Sequence, residues 1–236
     1  MNILITAGGT REDIDSVRGI TNYSTGRLGS LIADCFLENN CNVTYICAEG
    51  AILPSFPKSS SEKHFTKIQI RSTAQLLEKI EQVLSETSFH AVIHSMAVSD
   101  FAPHAVMQFG IEGHEGLHGF KPISEINEKI SSDAPYFVMV MKQLPKVIAR
   151  IKAIQPETLL VGFKLLSGVG EEELVQAGLK ILEKNLCEYV LANDLQNIQA
   201  DNHAALLLNK NGIHSRLNTK NEIADKIFNV VKEWYE

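Results

Sequence analysis

Short β-rich runs alternate with amphipathic helical patterns along most of this chain, and that alternation is the mark of a parallel sheet with crossover helices. The runs are Ile3–Thr6, Asn42–Cys47, Phe65–Ile70, His90–Ser95, Phe137–Met141, Leu159–Phe163 and Tyr189–Leu191. Helical patterns cover Gly26–Asn39, Thr73–Glu86, Pro145–Ile154, Glu171–Asn185 and Lys220–Trp234. In the first of these, Leu28, Leu31, Ile32, Cys35 and Phe36 recur at helical spacing, so one stripe is expected to bury on the sheet. Near the end, Ala204–Leu208 and Ile213–Leu217 flank "NKNG" and predict a β-hairpin. The expectation is an α/β fold: a mostly parallel sheet, flanking helices and a C-terminal hairpin, with residues 1–236 as one domain.

Two stretches break the rhythm. Pro54–Lys63 is a polar connecting loop. Phe101–Ser132 carries three histidines (His104, His114, His118), two prolines and "GIEGHEGLHG". A loop of that length inside a compact domain is usually functional or disordered, and the reading here is a flap or arm over 101–132. Its histidines lack a metal partner set and read as surface residues.

A formal net charge of -6 argues against a general nucleic-acid binder, which needs a basic surface to displace counterions. Cys35, Cys41, Cys47 and Cys187 form no Cys-x-x-Cys pair and read as small buried thiols in a reducing compartment. No window approaches the ~18 apolar residues of a membrane helix. The expectation is a cytoplasmic protein with no membrane partner.

Parallel α/β sheets bind ligands beyond the carboxyl ends of their strands, so the residues after each run assemble a candidate site. After the first run come Gly8, Gly9, Thr10 and Arg11, then Arg18, Asn22, Ser24, Thr25 and Gly26. After the fourth come Met96, Ala97, Val98, Ser99 and Asp100. Lys142, Lys164, Asn193 and Asp194 follow later runs. The opening loop lacks the Gly-x-Gly-x-x-Gly fingerprint, yet its hydroxyls, backbone N–H groups and following helix N-terminus suit an anion. Tight turns and a helix cap explain the same residues without a ligand. Asp100 reads either as a ligand for Mg²⁺ or a hydroxyl, or as a loop aspartate bonded to backbone. Lys180 and Lys184 share a helix face, as an anion contact or as a solvated stripe. Phe163 either packs in the core or stacks beside a base. These residues support an α/β protein that binds a phosphorylated small molecule.

The segments "TAGGTRE", "VRGITNYSTGRLG", "AVSDF", "EKISS", "LVGFK" and "NLCEYVLAND", in this order, resemble the phosphopantothenoylcysteine synthetase (phosphopantothenate–cysteine ligase) family in its stand-alone bacterial form. The resemblance runs over nearly the whole chain. It implies a Rossmann-like homodimer with a shared active site, its flap reaching the partner copy. It implies that 4′-phosphopantothenate is activated by CTP to an acyl-cytidylate, and that L-cysteine then displaces CMP. Mg²⁺ is the implied cofactor, with ATP as the alternative nucleotide.

Carried over by position, Asn22 and Lys129 are the implied catalytic residues. Arg18, Asn22, Ala97 and Asp100 are implied to contact substrate. Gly8, Gly9, Ser24, Met96, Asp100, Lys129, Pro145, Phe163, Lys180 and Lys184 are implied to line the nucleotide site, with His94–Met96 near the base and Pro145–Ile148 near the phosphates. The metal ligands stay open. Three departures bear on the reading. The chain begins at the first strand, so a separate phosphopantothenoylcysteine decarboxylase is expected. "EKISS" replaces a lysine-richer flap. "GFKLL" puts Lys164 and Leu165 where many bacterial forms have alanines, as in ATP-using relatives. The competing readings are an NAD(P)-dependent oxidoreductase, with Glu49 as ribose-binding acid, and a nucleotide-sensing module.

Overall fold

The computed structural model describes residues 1–55, 62–109, 121–122, 129–130, 136–198 and 202–236. Its centre is an eight-stranded sheet built from β1 (Asn2–Ala7), β4 (Asn42–Ala48), β5 (Phe65–Ile70), β6 (Ala91–His94), β10 (Leu159–Leu166), β11 (Tyr189–Ile198), β12 (Asn202–Asn209) and β13 (Gly212–Thr219). The spatial order is β13-β12-β11-β10-β6-β1-β4-β5, and the six strands from β5 to β11 pair in parallel. The chain winds from β1 outward to β5, returns beside β1 as β6, and winds outward again to β11. That is the doubly wound order, and its switch point falls between β1 and β6. The hairpin β12–β13 adds to β11 antiparallel, with Asn209 Oδ1 accepting from the Asn211 N–H inside its turn.

Strand residues alternate between two cores. Ile3, Ile5, Tyr45, Ile93 and Val161 meet α1 (Arg27–Glu38) and α5 (Lys220–Tyr235) on one face. Leu4, Ile46, Val92, Leu160 and Val190 meet α2 (Thr73–Glu86), α3 (Ile148–Ile154) and α4 (Glu171–Asn185) on the other. Both faces are covered, as a parallel sheet requires. The helix ends follow local chemistry. Ser72 caps α2 by accepting from the Gln75 N–H, and Thr219 caps α5 by accepting from Glu222 N–H while Glu222 returns to the Asn218 N–H. By contrast α1 starts on Gly26 with no side-chain cap. Three cysteines are buried, Cys35 is half-buried, and all are free.

Two expectations need correction. The sequence pattern places Phe137–Met141 among the strands of the parallel sheet. It belongs instead to β9 (Tyr136–Gln143), which pairs antiparallel with β7 (Phe101–Phe109), with β8 (Lys121–Pro122) on the far side of β7. An apolar run carries no label for its partner. This one emerges from a chain excursion after β6, and its nearest extended neighbour is β7, so it builds a second, three-stranded sheet. The β7–β9 register slips between Pro103 and Ala105, where proline offers no N–H to the ladder. The helix expected from Pro145 starts at Ile148, because Leu144 donates its N–H to Asp100 O and the segment through Lys146 is not helical. Of the loop and arm histidines, His114 and His118 lie outside the described residues, as do 56–61 of the first polar loop. Among the described residues no helix is long and apolar enough to cross a membrane.

Candidate functional site at the switch point

The loop after β1 is shaped by close approaches. Gly8 has φ +88°, and a Cβ there would lie 2.9 Å from both Ala48 Cβ and Ala51 Cβ. Gly26 is also left-handed, and a Cβ there would lie 3.1 Å from Gly8 N, so the start of α1 comes close to the end of β1. Gly29 lets α1 lie close on the sheet: a Cβ would fall 2.7 Å from Ala7 Cβ and 2.8 Å from Ser95 Oγ. The Arg27 N–H of the first turn donates to Thr25 Oγ1 at 3.4 Å, and the positive end of the helix dipole makes this end of the sheet receptive to an anion.

A short antiparallel ribbon, β2 (Arg11–Asp13) with β3 (Gly19–Thr21), carries the chain from Gly9 to Asn22. The Thr10 N–H and Asn22 Nδ2 both donate to Ala97 O, at 3.1 and 3.3 Å, while the Ala97 N–H donates to Gly8 O. Asn22 is otherwise exposed, so its amide keeps a second N–H and its carbonyl oxygen for a ligand. A buried hydroxyl network joins the same pieces. Thr10 Oγ1 donates to Ser99 Oγ and accepts from the Ser99 N–H and Thr73 Oγ1, while Glu12 accepts from the Thr73 N–H. This network fixes Ser99, and with it the neighbouring Asp100.

Beyond β6 lies a cavity of about 190 Å³ lined chiefly by Met96, Asp100, Pro145, Phe163, Ile181 and Lys184. Its mouth carries the ion pair of Asp100 with Lys146. Its inner end carries His94, also among the lining residues, whose Nδ1 lies 2.9 Å from buried Thr6 Oγ1. Burial pulls the His94 imidazole down to about 4, so the ring is neutral near pH 7.

Arg18, at the far end of the ribbon, grips Asp15 through Nε and Nη2 and donates from Nη2 to Ile130 O. Asp15 also accepts the Ile130 N–H. Chiefly through Arg18, and then through backbone N–H groups, its carboxyl is held far below the usual carboxylate range. Lys129, next in the chain to Ile130, is exposed.

The structure thus gathers Met96, Asp100, Pro145, Phe163 and Lys184 around one cavity, and Gly8, Gly9, Asn22 and Ala97 around one loop contact. Ser24 is half-buried in the segment between Asn22 and α1. Lys180 is exposed one turn before Lys184 and outside the cavity lining. Asp194, on the expected rim, is buried and structural: it accepts the Gly168, Val169 and Gln196 N–H groups. Sequence reasoning missed Lys146, the Thr10–Ser99 pairing and Asp15. Asp15 is one of three acidic residues in "REDID", and nothing local marks it rather than Asp13 for burial.

An open doubly wound sheet with a glycine-shaped loop and a helix start at its switch point, and a polar-mouthed cavity beside it where β6 and β10 end, defines a Rossmann-like α/β protein. More narrowly, the chain belongs to the DNA/pantothenate metabolism flavoprotein C-terminal domain family, whose model matches residues 1–116 and 117–235. This agrees with the resemblance drawn from its motifs. The coenzyme A biosynthesis bifunctional protein CoaBC of Thermococcus kodakarensis is 30% identical over 233 residues, covering 98% of this chain and 51% of that protein. The chain spans about half the length of the curated relatives it matches. The crystal structure of the DNA/pantothenate metabolism flavoprotein from Streptococcus pneumoniae superposes with a TM-score of 0.85 at 35% identity, over 99% of each chain. A Cab2 variant in complex with phosphopantothenate-cysteine shares the fold at a TM-score of 0.74 and 17% identity, over 99% of this chain and 87% of that one.

Proposed function

We propose that this chain is a phosphopantothenate–cysteine ligase of coenzyme A biosynthesis, joining 4′-phosphopantothenate and L-cysteine at the expense of CTP. The observation that supports it most is the anchoring of Asn22 on Ala97 O. It sets an amide with one unused N–H beside the strand end from which the cavity begins at Met96.

The substrate carboxylate attacks the α-phosphorus of the nucleotide, pyrophosphate leaves, and an acyl-cytidylate forms. The cysteine amine then attacks the acyl carbon, CMP leaves with the bonding pair, and the amine proton is lost. Asn22 donates its unused N–H to the acyl carbonyl or the phosphate as cysteine attacks, a preorganised dipole aimed at developing charge. Arg18, already held by Asp15, turns Nη1 to the phosphate of phosphopantothenate. Lys129, Lys180 and Lys184 neutralise the triphosphate. Phe163 lies beside the base, and Gly8, Gly9 and Ser24 supply close backbone and a hydroxyl.

Among the described residues no three acidic, His or Cys side chains cluster as a metal cage. Asp100, the sole acidic residue of the cavity lining and the ion-pair partner of Lys146, would be the residue to hold a Mg²⁺ brought by the triphosphate. A Mg²⁺ held there would supply positive charge against the departing pyrophosphate. Lys164 and Leu165 leave ATP as the second nucleotide. Exposed Phe101, Phe137, Val138 and Met141 on the β7–β9 sheet support a second copy of the chain as partner. The partner activity in the pathway is a phosphopantothenoylcysteine decarboxylase, which consumes the product.

The test mixes the protein with phosphopantothenate, cysteine, Mg²⁺ and either CTP or ATP, and follows pyrophosphate. Release that requires phosphopantothenate, faster with CTP, is expected. No release with either nucleotide refutes the ligase.

A further inference from the structure

We propose that Asp15 is a positioning residue: its carboxylate latches the segment carrying Lys129 onto the β2–β3 ribbon and fixes Arg18 in the same grip. The catalytic part of this inference rests on the ligase reading above; the latch itself does not.

Asp15 sits in the loop between β2 and β3 with its side chain wholly buried. One oxygen closes that loop, accepting the Val17 and Arg18 N–H groups at 3.0 and 2.8 Å. The other accepts Arg18 Nε at 2.9 Å, Arg18 Nη2 at 2.5 Å and the Ile130 N–H at 3.0 Å. Arg18 Nη2 completes the ring by donating to Ile130 O at 2.9 Å. A residue 115 positions away is therefore held by both its N–H and its C=O, as a strand neighbour would be, but by one acid and one base. The Ile130 side chain is buried, while Lys129 beside it is exposed. A fixed residue 130 leaves the α-carbon of Lys129 only ~3.8 Å of leash.

A purely structural staple would need nothing more than the Ile130 side chain in its pocket. Spending a buried carboxylate and a guanidinium on one backbone unit fixes direction as well as place, because every bond in the ring is charge-assisted and oriented. It also ties the cation on the ribbon, Arg18, to the cation on the arm.

Asp15→Asn tests this with little change in volume. An amide has one acceptor oxygen and one donor nitrogen, so the loop or the latch must face a donor with a donor. Three readouts are taken on the full chain: hydrogen exchange at the Ile130 amide, KM for nucleotide against KM for cysteine in pyrophosphate release, and melting temperature. The expected result is loss of Ile130 protection and a rise in nucleotide KM of at least about tenfold, with cysteine KM steady. In a Lys129→Gln background the same change adds nothing further to the nucleotide KM.

Retained protection at Ile130 overturns the latch. Lost protection with a full additional effect in the Lys129→Gln background overturns the positioning role. Should Asp15→Asn fold poorly, Arg18→Lys keeps the charge but loses the fork, and Ile130 protection must fall with it. If the wild-type chain turns over neither nucleotide, the ligase reading has failed separately. The cycle is then read on CTP binding affinity, where an unchanged affinity in Asp15→Asn overturns the proposal.

Discussion

Gly9→Ala separates the position of Asn22 from its chemistry. Gly9 has no left-handed backbone, so alanine meets no conformational penalty there. Its Cβ would nevertheless fall 2.6 Å from Asn22 O, a backbone atom that cannot rotate away. That carbonyl must retreat by about 0.4 to 0.8 Å to reach a tolerable contact, and overpacking of this kind costs about 1–3 kcal/mol. For a chain of this size the melting temperature should fall by about 2–12 °C. The Asn22–Ala97 bond, already long at 3.3 Å, is the first to break. Displacements of this order cost about 10²-fold in a step that depends on alignment. Pyrophosphate release should survive better than amide formation, measured by rapid quench with labelled phosphopantothenate. Gly170→Ala is the control, because a Cβ there meets nothing within 4 Å. A Gly9→Ala enzyme that is less stable yet ligates at the full rate would refute the role given to the Asn22 anchor.

Other outcomes follow from the same geometry. Asn22→Asp should let the acyl-cytidylate form but slow its aminolysis, so quenched reactions accumulate the intermediate; absent pyrophosphate release would move Asn22 to the first half-reaction. His94 and His203, both lowered to about 4 by burial, are held neutral by the fold. Their contribution is complete above the unfolded value near 6.5 and is lost as pH falls from there towards 4, by roughly 3 kcal/mol for buried His94. Urea unfolding of His94→Asn should show a shallower loss over that window, while Asp15, an acid whose charged form the fold favours, loses its contribution only at pH below it. Burial raises all four thiols, Cys35 and Cys187 to about 12, so the native protein should resist iodoacetamide at pH 7.5 and react only when unfolded. Rapid native alkylation, read by mass, would contradict the burial argument.

The two long amphipathic helices on one face of the sheet were legible to the residue: Thr73–Glu86 and Glu171–Asn185 carry their own periodicity and end signals. So were β5 and the turn of the C-terminal hairpin, where local hydrogen bonding suffices. The ribbon β2–β3 was not. Its three-residue strands, "RED" and "GIT", have no apolar alternation, and their pairing depends on the loop that Asp15 closes. Among site residues, the glycines and Asn22 stood out because an anion loop needs small and amide groups. Lys146 did not, since nothing near it in the chain says that Asp100 will be its partner.

The amino-acid sequence by itself determined the α/β alternation, the absence of a dinucleotide fingerprint and the family resemblance, because each is written in residues close together in the chain. Only the tertiary structure decided which strand pairs with which, that Phe137–Met141 leaves the main sheet, and that Thr10 meets Ser99 and Asp15 meets Ile130 across 89 and 115 positions. Those polar contacts form where Thr10, Ser99, Asp15 and Ile130, distant in the chain, are all withdrawn from water. Once there, they must find each other or remain unpaired at a cost of about 1–3 kcal/mol apiece.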